Sequence, residues 1–312
     1  MTTLNNRTLT IILIALVVVY VGARIVRVPK REGALAIALV NIDTAAVRQI
    51  KLYPNREGEA GQELAFTRLV SGWQVTKDGL AAEADSNAVK GLMGTFVGMT
   101  ANRVVAERES KWDEYRVGDT SGTRIVVLGD GDTQLGEWWV GEAPAQGGMY
   151  GGGQSYVRLA TGDKVYAVEG YLHSQYNKAF NDWRNKAFLR LDKNSIAGLA
   201  ASGTASWSLK RDSTVWLLDG SKADSAAVER YVGRFASMNL SGFADGFKPA
   251  KDADALLTIN GTAGELAGIQ AWKATDSTWV VRSSQHPQVY FEIDGQRFAE
   301  EVIPAAQELQ MK

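Results

Sequence analysis

A chain of 312 residues, 45% of them hydrophobic, is long enough to bury more than one core, and a usual domain size of roughly 150 residues points to two. Its 34 Lys and Arg nearly balance 35 Asp and Glu, so the positive field that concentrates a protein on nucleic acid is missing. Cysteine is absent, which excludes disulfides, thiolate nucleophiles and cysteine-ligated metal, and two histidines in unlike contexts, His173 and His286, argue against a histidine metal centre or a catalytic triad.

From Leu9 to Ala23 the sequence is almost wholly apolar, and with Ile25, Val26 and Val28 it supplies about 20 helical residues, enough to cross a hydrocarbon core. The expectation is a single-pass helix: residues 1–32 form a membrane anchor with a basic juxtamembrane end, and residues 9–28 meet lipid. A cleaved signal peptide is the alternative, with Arg7 as its basic start and Val21-Gly22-Ala23 as its cleavage site. Arg24, Arg27, Lys30 and Arg31 outweigh Arg7, so the positive-inside bias favours a body in the cytoplasm.

The rest reads as an internally duplicated α+β chain, with a first unit over 33–187 and a second over 188–312. Ala84-Asp85-Ser86-Asn87-Ala88-Val89 returns as Ala223-Asp224-Ser225-Ala226-Ala227-Val228. After each copy, apolar residues recur at helical spacing: Val89, Leu92, Met93, Phe96 and Met99, then Val228, Tyr231, Val232, Phe235 and Met238. Asp85 and Asp224 stand where an N-cap accepts free backbone N–H groups. Each helix follows two short strands, 63–69 with 73–77 and 206–210 with 215–218, in which Trp73 and Trp216 are core anchors. Beyond the helix, strands are expected at 124–128, 134–140, 156–159 and 164–168, and at 256–259, 265–272, 279–282 and 289–293. Helical segments close the units at 171–180 and 296–309.

Gly129-Asp130-Gly131-Asp132 lacks the glycine and glutamate of a calcium loop and reads as a hairpin turn. The glycine-rich run 147–153 lacks a phosphate loop's Lys and leads into a strand, so it reads as a long loop whose Met149 and Tyr150 are candidate partner contacts. Trp138 and Trp139 are adjacent on a strand, so alternation sends one ring inward and the other outward; both are candidate contacts for a partner or a sugar. Asp182, Trp183 and Arg184 stand at the junction of the units as a candidate inter-unit clamp. Catalytic, cofactor and metal-binding motifs are not found, so no cofactor or metal is expected.

Ser71-Gly72-Trp73, the Ala-Asp-x-x-x-Val helix, Glu137-Trp138-Trp139-Val140-Gly141, Tyr156-Val157-Arg158, and Asp182-Trp183-Arg184-Asn185-Lys186 leading into Leu189-Arg190-Leu191-Asp192 occur in that order. The chain in this respect resembles the bacterial family called domain of unknown function 4340. The resemblance departs at Tyr115-Arg116-Val117, where the family has Tyr-Gly-Leu. It implies an inner-membrane, single-pass or signal-anchored envelope protein with a periplasmic body, often encoded beside ABC transporters of the gliding-motility type, and it brings no catalytic residues. A non-enzymatic accessory or scaffold protein that partners an ABC transporter permease or another envelope protein is therefore expected, with a glycan-binding module as the alternative.

Overall fold

The computed structural model describes residues 37–143 and 153–311. The expected anchor at 1–32 lies outside them, as do Met149 and Tyr150. Among the described residues no helix is long and apolar enough to cross a membrane. By internal contacts the chain divides into two compact units, one formed by residues up to Ala65 and Lys90–Asn177, the other by Phe66–Val89 and the chain from Lys178 onward.

The fold is sheet-rich α+β, with mostly antiparallel pairing and few helices. The first sheet is built from β1 (Ile37–Val40), β2 (Gln49–Tyr53), β3 (Leu64–Leu69), β4 (Gly72–Lys77), β5 (Leu80–Glu83), β6 (Met99–Ala106), β7 (Thr123–Leu128), β8 (Gln134–Glu142), β9 (Gln154–Leu159) and β10 (Val165–Glu169). Its order is β1-β6-β10-β9-β8-β7-β2-β3-β4-β5. After a two-stranded pair, β11 (Ala187–Leu189) with β16 (Met238–Asn239), the second sheet takes β12 (Ile196–Gly203), β13 (Trp207–Asp212), β14 (Val215–Leu218), β15 (Ser221–Lys222), β17 (Gly242–Phe243), β18 (Ala255–Gly261), β19 (Glu265–Lys273), β20 (Thr278–Ser283) and β21 (Phe291–Asp294). Read from its far edge, the order is β17-β21-β20-β19-β18-β12-β13-β14-β15. The run from β10 to β5 and the run from β21 to β15 therefore match strand for strand.

Local chemistry matches as well. Asp78-Gly79 and Asp219-Gly220 close the β4–β5 and β14–β15 hairpins, all four residues at positive φ between 48° and 84°, the geometry of a type I′ turn. Helix α1 (Ser86–Gly94) begins where Asp85 Oδ1 accepts from the N–H groups of Asn87 and Ala88, at 2.8 and 3.0 Å. Asp85 also receives a helical bond, from the N–H of Val89 to its carbonyl. In α4 (Ser225–Arg234), Asp224 Oδ1 accepts from Ala226 and Ala227 at 2.9 and 3.1 Å. The helices bury the faces their spacing indicates: Val89, Leu92 and Phe96, and Val228, Tyr231, Val232 and Phe235. The first ends sooner than the apolar spacing implies, since Gly94 terminates it and Met99 opens β6.

The second unit's core runs from Phe188 to Leu309 and includes Trp207, Trp216, Tyr231, Phe235 and Phe291. Its closing segment is not one helix. Short turns α5 (Gly295–Arg297) and a π-helical Phe298–Val302 precede Pro304, which keeps Ile303 out of helical geometry before α6 (Ala306–Leu309). The first unit's closing segment is broken likewise, into α2 (Leu172–Tyr176) and α3 (Phe180–Trp183), of which only α2 lies in that unit.

Candidate functional site

The contacts described for the segment from Asp182 to Lys186 lie in the second unit. Asp182 Oδ2 accepts from the N–H of Ala179 at 3.1 Å and so caps α3. Trp183 is buried, edge-on to Phe66 with ring centres 5.1 Å apart. Leaving α3 extended, the chain sets Arg184 opposite Ala84 as an antiparallel bridge. Arg184 is 4% exposed and forks onto Asp245: Nη2 donates to Oδ1 at 2.6 Å and Nη1 to Oδ2 at 2.7 Å. Its guanidinium lies 3.5 Å from the centre of the Phe243 ring. Such a bidentate, stacked arrangement suits arginine and not lysine. Asn185 donates from its backbone to the Glu83 carbonyl at 2.8 Å and from Nδ2 to Glu83 Oε1 at 2.9 Å.

These contacts frame a cleft of about 440 Å³ whose walls include Leu80, Ala81, Glu83, Phe243, His286 and Tyr290. Arg184 is ion-paired with Asp245, and Glu83 accepts from the Asn185 amide. Tyr290 Oη accepts from Arg282 Nη1 at 3.0 Å, and Gln285 pairs through its side-chain amide with both backbone groups of Arg190, at 2.9 and 3.1 Å. One wall is the outer edge of β5. The two-residue turn makes Lys77 and Leu80 the bonded pair, so Leu80 and Ala82 bond inward to β4 while Ala81 and Glu83 turn their backbone groups outward. The bond from Asn185 to the Glu83 carbonyl obeys this phase.

In the first unit, the expectation of one exposed tryptophan is corrected. Alternation does place the rings of Trp138 and Trp139 on opposite faces, but both are buried, at 0% and 8% exposure. Trp138 packs edge-on to Phe96 at 5.3 Å. Trp139 is covered by a feature that sequence reading missed: the Arg158 guanidinium lies 3.7 Å from Trp139 and 3.8 Å from Trp112, sandwiched between the two rings. Arg158 Nε donates to the Val117 carbonyl at 2.8 Å and Nη2 to Asp119 Oδ1 at 2.6 Å. The signal was present, because Tyr156-Val157-Arg158 alternates out of the core and Arg158 pairs directly with Trp139. Gly141 serves the same layer: a Cβ there would lie 2.1 Å from the Tyr115 carbonyl, so only glycine admits the covering segment. The Gly129–Asp132 stretch is a turn closed by the Gly129 N–H on Thr133 O, with Asp130 paired to Arg48 at 2.7 Å.

Among the described residues, no group of three or more His, Asp or Glu is placed to hold a metal ion. Comparison with curated proteins and with solved structures gives no match. A family model described as Domain of unknown function (DUF4340) matches residues 73–258, from β4 into β18.

Proposed function

The chain belongs to the DUF4340 family, and on that premise we propose that it is a non-enzymatic accessory protein of the cell envelope. In this reading residues 9–28 hold it at the inner membrane, its body faces the periplasm, and it consists of two copies of one α+β fold. Its partner is a neighbouring envelope protein, an ABC transporter permease in the first instance. The observation that carries the reading is the cleft beside Arg184. Its arginine is spent on Asp245, which shapes a surface, while Glu83 and a backbone edge are left open for a partner. The matching strand orders of the two sheets support the duplication. The glycan alternative drew on exposed rings at Trp138 and Trp139, and both are buried.

The test is recovery of the full chain from gently solubilised membranes by an affinity tag. The account predicts that it sediments with membranes and brings down a stoichiometric membrane protein. A chain found in the soluble fraction, or recovered alone from mild detergent, contradicts it.

A further inference from the structure

Residues 183–185 begin a strand along the outer edge of β5 and then leave it. The Asp85 N–H donates to the Trp183 carbonyl at 2.7 Å, Arg184 bridges Ala84, and the Asn185 N–H donates to the Glu83 carbonyl at 2.8 Å. Past Asn185 the chain turns away to pair Ala187 with Asn239. The next outward-facing position of β5, Ala81, has neither its N–H nor its carbonyl taken by another described residue, and it opens on the cleft. The ladder therefore has a vacant place in line with a strand already started.

We propose that this place receives an extended peptide segment of a partner protein carrying a basic residue opposite Ala81. The proposal deepens the accessory reading and rests on it. Backbone exchange with Ala81 gives the attachment, as in strand addition to a sheet edge. The basic residue follows from register and charge. A side chain opposite Ala81 projects on the same face as that of Glu83, two residues along, a diagonal spacing that long side chains span. Glu83 is exposed, and of its carboxylate only Oε1 is engaged, by Asn185. The second oxygen is available to a cation, and Asp245 in the same cleft is already neutralised by Arg184, so Glu83 is the anion that selects the residue. The Phe243 ring and Val289 supply apolar wall for the flanking residues.

The experiment titrates the full chain in detergent with acetyl-Val-Thr-Lys-Thr-Val-amide, with the same peptide bearing Glu for Lys, and with a version N-methylated at Lys. The lysine peptide is expected to bind, and the glutamate and N-methyl versions about tenfold or more weaker, the worth of one charge-assisted or backbone hydrogen bond. Glu83→Gln keeps the acceptor for Asn185 and should weaken the lysine peptide several-fold. Ala81→Pro removes only an outward N–H and should weaken it about tenfold with the melting temperature unchanged. If that variant fails to fold, the N-methyl peptide carries the same test. No binding of the lysine peptide, or equal binding of all three, overturns the site. A partner still recovered from membranes in that case leaves the accessory reading standing, whereas failure to recover one removes that reading as well.

Discussion

Asp85 and Asp224 do identical work, each satisfying two N–H groups at the start of a helix with one carboxylate oxygen. Alanine at either position should cost about 1 kcal/mol in urea unfolding, and asparagine much less. These caps were legible because a cap depends on residues within one turn. His173 was visible only as a lone histidine, and its environment was not. Burial holds it below its ordinary value, Arg116 pushes the same way, and Glu142 opposes. The unfolded chain therefore takes up a proton first as pH falls, and stability contributed by neutral His173 is present above about pH 6.5 and lost as pH drops through its lowered value. Melting temperature should fall over that window, and His173→Gln should flatten the fall. Tyr53 acts at the other end. Burial and its hydrogen bond to Glu63, helped by that carboxylate's charge, push it up to about 12, so stability should decline as pH rises from about 10 towards 12.

Among elements, strands and their order in the chain could be read from alternation, and the Asp-Gly pairs that close two hairpins carried a strong local signal that the opening reading passed over. What could not be read was the layer on the other side of the first unit's sheet. Trp112, Trp139 and Arg158 are separated by up to 46 residues and meet only once the sheet exists. Arg158→Ala removes two charge-assisted hydrogen bonds and uncovers two rings, and should cost about 3 kcal/mol with a red shift of tryptophan emission. A loss below about 1 kcal/mol with unchanged emission would show that the sandwich is incidental. The helix expected over 296–309 failed for a local reason, the proline at 304, which the apolar spacing of Phe298, Val302, Ile303 and Leu309 disguised.

For the whole molecule, the ordered motifs foreshadowed the family, and the short alternating runs foreshadowed a sheet-rich α+β fold. The cleft was not legible, because its walls come from residues 80–83, 184–187, 243–245 and 285–291, which no sequence window contains. Asp182, Trp183 and Arg184 stood out in the sequence as a junction, but the partners of Arg184, Asp245 and Phe243, lie about 60 residues away. Removing Asp245 strands a buried guanidinium, and Asp245→Ala should cost about 2 to 3 kcal/mol, less than for a fully buried pair because the carboxylate is partly solvated. The most direct measurement is in-cell photo-crosslinking with a probe residue at Leu80, which borders the open edge, and at Lys222, a control position on the edge strand β15 of the other sheet. The account predicts one discrete adduct with an envelope protein from Leu80 and none from Lys222. An uncrosslinked chain from Leu80, or the same adducts from both positions, would contradict it.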